Sequence, residues 1–216
     1  MKTRPILFSA PVVRAIMEGQ KTVTRRAVKK RAALDCLAAG FEPSFLTLPG
    51  NADLCPYGEP GDRLWVRESF GEVYDYCEHP EMPGCQTEHW HIEWKYRADG
   101  ETPEIEDGVF EGWRPNIHMP REASRLLLEI TGVRVERLRT ASDLDLLDEL
   151  GDDLENCDSV AGKEFSRIEH LQCAGAPLRM IPEMYGFKAF WDGKHGAGSF
   201  DANPWVWVVE FKRVMP

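Results

Sequence analysis

Residues 19–26 read GQKTVTRR, which sets a lysine, two threonines and two arginines within eight positions. A threonine hydroxyl becomes a useful nucleophile only when a base takes its proton, and a lysine can be that base only if its pKa is lowered. Lys21 and Thr24 stand three residues apart. Arg25 and Arg26 beside them disfavour another ammonium and push Lys21 towards the neutral amine. The same cations support a second reading, in which Lys21, Arg25 and Arg26 hold phosphate and perform no chemistry.

Other residues carry chemistry of different kinds. Cys77, His79, Cys85, His89 and His91 crowd the segment CEHPEMPGCQTEHWH. Cys77, His79, Cys85 and His89 can supply four tetrahedral ligands for a structural zinc. Pro80, Pro83 and Gly84 make the segment a loop, which equally reads as an ordinary insertion, and the chemistry at Lys21 and Thr24 requires no cofactor. His118, between prolines in PNIHMP, suits either a pocket wall or a hydrogen-bonded structural role. Trp113 in EGWRPN is the first choice among the tryptophans to stack a base, with Trp65, Trp205 and Trp207 behind it as strand residues that also suit a core. Arg67 and Glu68 alternate across LWVRESF, so one of them faces inward and needs a partner.

The elements that must position these groups follow from charge and periodicity. The chain has 216 residues and a formal charge of −10. Residues 1–31 hold nine Lys/Arg against Glu18 alone, a local +8, which leaves −18 for the rest. That excludes a general nucleic-acid binder and leaves a local phosphate-facing patch or a solvated basic arm. No apolar run approaches the ~20 residues of a membrane span. Pro5, Pro11 and Arg14 interrupt any signal-peptide core, so a cytoplasmic setting without a membrane partner is expected. PILFS reads as a strand and Ser9–Glu18 as a helix with the apolar stripe Val12, Val13, Ile16 and Met17, closed by Gly19. Lys21 and Thr24 can then converge only if the residues after Gly19 still belong to the turn. RAALDCLAAG is a short helix and Leu64–Phe70 a strand, with one or two further strands near HIEWKYRA. ASRLLLEITGVRVERL gives two strands or one bent at Gly132. TASDLDLLDELGDDL is a short helix capped by Ser142, with Leu146, Leu147 and Leu150 inward. An acidic, poorly ordered stretch to about residue 180 precedes a helix at EMYGFKAFWDG. The half-buried strand PWVWVVEFKRV comes last. The class is α+β: a small mixed β-barrel in one domain, with flanking helices and insertions at about 32–55, 71–95 and 152–182.

EGQKTVTRR resembles the signature of the ASCH domain, a member of the PUA-like β-barrel superfamily, whose core is G-x-K-T-x-T/E-x-R. PGDRLWVRESF, WRPNIHMPREASRLLLEITGVRVERL and NPWVWVVEFKR are similar, in the same order, to segments of ASCH proteins common in bacteriophages and prophages. The resemblance covers most of the chain outside the three insertions. It implies a PUA-like barrel in the cytoplasm of a bacterial or phage-infected cell, with RNA or a modified nucleoside as partner. One branch of the family is an amidohydrolase that removes the acetyl group from N4-acetylcytidine. There the signature lysine accepts a proton, a threonine three residues on is the nucleophile, and a glutamate is the proton donor. The lysine and threonine match Lys21 and Thr24. Aligning the family's helix on Ser142 puts the glutamate on Glu149, with Leu150 where the family has glycine and Gly151 one place later. Asp145, one helical turn before Glu149, would raise its pKa and suit a proton donor. Two alternatives stand beside the hydrolase: a non-catalytic RNA or modified-nucleotide binding module, with Arg25, Arg26, Arg67, Glu68, Trp113 and His118 as contacts, and a phage protein-interaction scaffold using the acidic segment 152–169.

Overall fold

The computed structural model describes residues 1–77, 88–100, 103–105 and 108–214. Strand β1 (Thr3–Leu7) leads through Ser9, in the N-cap position, to helix α1 (Ala10–Met17), with Pro11 in its first turn. Its buried face is Val12, Val13, Ala15 and Ile16. Met17, expected in that stripe, is instead 36% exposed at the last turn. Gly19 takes φ +76°, a left-handed conformation that a side chain resists. The amides of Gln20 and Lys21 then both donate to the Ala15 carbonyl, at 2.9 and 3.1 Å. Lys21 therefore still belongs to the turn when strand β2 (Val23–Ala27) begins.

Helix α2 (Arg31–Ala38), β3 (Arg63–Arg67), β4 (Phe70–Cys77), β5 (Glu88–Tyr96), β6 (Val109–Phe110) and β7 (Leu127–Arg137) follow. Next come helices α3 (Asp143–Leu147), α4 (Val160–Cys173) and α5 (Pro182–His195), and last β8 (Trp205–Val214). The main sheet has the order β1-β3-β7-β8-β2, with β1 and β3 parallel and the other pairs antiparallel. The register slips between Ile130 and Gly132, the expected bend, so β7 is one strand with a bulge.

The α+β class holds, but the expected closed barrel does not. Among the described residues no backbone ladder joins the edge strands β1 and β2. The link between them is a side chain, the Arg26 guanidinium donating to the Leu7 carbonyl at 2.7 Å. The strand expected over Leu64–Phe70 is also broken at Glu68 and Ser69, where the chain leaves the main sheet for the three-stranded sheet β5-β4-β6.

Strand β8 was expected to be half-buried and is buried on both faces. Trp207, Val209 and Phe211 enter the core formed with α1, β1, β3 and β7, while Val206 and Val208 enter a second core with Leu146, Leu150, Phe187 and Trp191. The helices after β7 create that second core, and they also overturn the poorly ordered stretch expected before residue 180. Helix α4 occupies much of it, with Ser159 accepting the Gly162 amide as its cap. Insertion 32–55 contributes α2 and two 3-10 turns, from which Ala33 and Leu46 are fully buried in the first core. No helix among the described residues is long and apolar enough to cross a membrane.

Candidate functional site

The sheet edge at β2 explains how distant residues meet. Val28 donates to Trp205 and Phe211 donates to Thr22, so the even-numbered residues of this strand pair with β8. The Arg25 N–H therefore points off the edge, where an unsatisfied donor would be costly. Glu149 accepts it through Oε1 at 2.6 Å. The other carboxylate oxygen, Oε2, accepts the Thr24 hydroxyl at 3.0 Å and lies 3.2 Å from Lys21 Nζ. Lys21 Nζ also donates to the Asp148 carbonyl at 2.8 Å, which fixes the ammonium against the same turn. Lys21, Thr24, Arg25 and Glu149 are all under 9% exposed. One carboxylate thus closes the sheet edge, orients a hydroxyl and faces two buried cations.

A capping box places Glu149. The Ser142 hydroxyl accepts the Asp145 amide, and the Asp145 carboxylate bonds back to Ser142. The box turns Asp145 towards the helix start and solvent, and its carboxyl is held below the usual range chiefly by the Ser142 hydroxyl. Asp145 was expected beside Glu149 on one helix face. The helix instead ends at Leu147 and tightens, with the Glu149 amide donating to Leu146, so the two carboxylates separate. The neighbours of Glu149 are Lys21 and Arg25.

Burial is the largest influence on Lys21 and pulls its pKa below the ordinary lysine value. The Glu149 carboxylate opposes that shift, and Arg26 adds to it. The direction matches the sequence expectation, but desolvation rather than the neighbouring arginines leads. Arg25 differs from expectation. Its guanidinium is buried, 3.3 Å from Glu136 and bonded to the Asp145 carbonyl at 3.1 Å, so it braces the site from within, although the residue also forms part of the lining of the pocket beside Thr24.

Thr24 and Glu149 line a small pocket together with Phe8, Arg26, Trp191, Lys194 and His195. Lys21 does not line this pocket: 3% exposed, it lies behind the wall. The pocket is narrow, about 50 Å³, and opens beside a wider cleft of about 400 Å³. Arg26 and His195 line both, and Lys29 and Lys30 belong to the wider one. The sequence reading missed Lys194 and His195. They end α5 in WDGKHG, where two basic residues read as ordinary company for a helix C-terminus. Lys194 is exposed as a residue, yet its ammonium sits 3.8 Å from the centroid of the Phe190 ring. Desolvation there, followed by the charge of Arg26, lowers its pKa to about 8. The His195 ring packs at a tilt against Trp191, 4.3 Å between centroids, and has a lowered pKa, from burial first and then from Lys29.

The remaining candidates lie elsewhere. Arg67 bonds the Ile117 carbonyl and lies over the Trp65 ring. Glu68 is the inward member of its pair, 1% exposed and gripped by Arg125 at 3.0 and 3.1 Å. Trp113 lines a separate cavity with Trp94, Tyr96 and Arg125, and packs edge-on against Phe110. His118 is exposed in a 3-10 turn. None of the four lines the Thr24 pocket. Of the zinc candidates, Cys77 and His89 fall on the facing strands β4 and β5, whereas His79 and Cys85 lie outside the described residues. Comparison with family models, with curated proteins and with solved structures gave no match.

Proposed function

We propose that this chain is an ASCH-type amidohydrolase with a PUA-like ancestry, acting on the acetyl group of N4-acetylcytidine. The observation that supports this is the meeting of the Thr24 hydroxyl, the Glu149 carboxylate and the Lys21 amine around one oxygen atom, at the wall of a pocket. In this reading Thr24 Oγ1 attacks the acetyl carbonyl and its proton passes to the Lys21–Glu149 pair. A lysine whose pKa is lowered by burial is a fitting member of such a pair. The C–N bond breaks, Glu149 returns a proton to the cytosine N4, and the acetyl group remains on Thr24 as an ester. Water then hydrolyses the ester, releases acetate and restores the hydroxyl. The narrow pocket suits the acyl end of such a substrate, and the wider cleft suits the sugar.

The second reading is a non-catalytic module for RNA or a modified nucleotide, favoured by the placement of Lys21 behind the pocket wall. In that case the trio is a satisfied buried network that shapes the pocket. Incubation with N4-acetylcytidine, reading cytidine release, separates the two. The hydrolase should lose on the order of a hundredfold or more in rate with Thr24→Ala and with Lys21→Ala. Turnover surviving both substitutions would sink the assignment, and saturable binding without turnover would favour the module.

A further inference from the structure

The walls of the cleft beside the Thr24 pocket are strongly one-sided in charge. The cations Arg26, Lys29, Lys30 and Lys194 come from two distant segments, the end of β2 with the residues after it and the end of α5, and meet, together with the His195 imidazole, where the narrow pocket opens into the wider cleft. The acidic residue among those linings is Glu149, which is already occupied by Thr24, Lys21 and the Arg25 amide. Most other cations of the basic N-terminal segment are neutralised: Arg4 by Asp62, Arg14 by Asp152 and Arg31 by Asp35. Among the described residues Arg26, Lys29 and Lys194 make no ion pair. The Arg26 Nε is buried and lacks a hydrogen-bond partner, while its other end is tied to Leu7. Gathering cations costs self-repulsion, and a ligand anion would relieve it.

We propose that Arg26, Lys29, Lys194 and His195 form a phosphate subsite, so that the Thr24 pocket takes a phosphorylated nucleoside, as a 5′-nucleotide or within a strand, in preference to a free nucleoside. The inference rests on the hydrolase reading for the chemistry of the pocket, but phosphate recognition can be measured without turnover. A guanidinium and two ammonium groups give charge-assisted bonds to phosphate oxygens, and the cleft leaves room for the group beyond the sugar. Phosphate on a nucleotide and the diester of a strand share this chemistry.

Calorimetric titration of the full chain with cytidine, with cytidine 5′-monophosphate and with a short cytidine-containing RNA lacking terminal phosphate tests it. The monophosphate, the RNA or both should bind about tenfold or more tighter than cytidine. Preference for the monophosphate alone identifies a terminal phosphate, and preference for the RNA identifies a diester. Lys29→Ala and Lys194→Ala should each shrink the ratio to cytidine. Equal affinity for all three ligands, no binding by any, or a ratio unmoved by both substitutions would overturn the subsite. The N4-acetylated forms of the same ligands give the second arm. A phosphate preference in binding with no turnover of any of them leaves the subsite standing and removes the hydrolase. Turnover of acetylcytidine without phosphate preference does the reverse.

Discussion

Glu149 carries more of this site than its place in an acidic, helix-forming stretch suggests. It satisfies the outward N–H of an edge strand, holds the Thr24 hydroxyl and faces Lys21 and Arg25. Replacing it with alanine leaves the buried Lys21 without its counter-charge, Arg25 with Glu136 alone, and a strand amide without an acceptor. The expected cost in unfolding free energy is about 3–5 kcal/mol, read from the urea midpoint. Glu149→Gln keeps an acceptor for the amide and should lose less. Equal stability of the alanine variant and the parent would mean that the carboxylate is dispensable to the fold. The spacing of Lys21 and Thr24 was legible in the sequence, and so was the demand for a carboxylate through the ASCH resemblance. The backbone bond to Arg25 was not, because it depends on which edge of β2 is left unpaired.

At the scale of elements, helix α3 is only five residues long and too short to hold itself by propensity alone. Its capping box therefore sets the direction in which the chain leaves towards Glu149. Ser142→Ala should cost about 1 kcal/mol of stability and should reduce turnover by more than that loss accounts for, since the Glu149 carboxylate loses its register against Thr24. Melting temperature and acetylcytidine turnover measured on the same preparation check this. Unchanged turnover would show that the packing of Leu146 and Leu150, both buried, positions Glu149 without the cap. Gly151 supports the same turn from the far side: it has φ +60°, and a Cβ there would stand 3.0 Å from the Pro11 carbonyl oxygen. The 3-10 turn Gly151–Leu154 after α3 thus meets the start of α1 through backbone close approach.

Over the whole molecule, the net charge of −10 hides a division of labour. Pairing with acidic partners spends most of the N-terminal cations on the fold, and the remainder converge with α5 at the cleft. Lys194 gives that cleft a pH dependence. Its pKa of about 8 reflects desolvation and the cations Arg26 and Lys21, opposed by Asp153 and Glu149. The amine is therefore neutral above about pH 8, and a bound phosphate would raise its pKa again. Affinity for cytidine 5′-monophosphate should fall between pH 7 and 9, and binding near pH 8 should take up protons. Calorimetry in two buffers of different ionisation enthalpy measures the uptake, and Lys194→Met should abolish it. Release of protons, or affinity that is flat across this range, would contradict the charge assigned to Lys194.

Local features of this fold were determined by the sequence itself. The left-handed glycine after α1, the turn that keeps Lys21 behind Thr24, the Ser142 cap and the bend at Gly132 each depend on residues within a few positions of one another, and local sterics and hydrogen bonding fix them wherever the segment lies. The tertiary structure alone decided that the sheet stays open, that β8 serves two cores and that α5 delivers Lys194 and His195 to the pocket. Helix α4 escaped the sequence reading because its buried side is thin, Ala161, Gly162 and Ile168, and its surroundings are acidic. The decisive contact joins Thr24 to Glu149 across 125 residues. No periodicity or spacing encodes it, because it exists only where two separately formed elements leave a donor and an acceptor that must satisfy each other away from water.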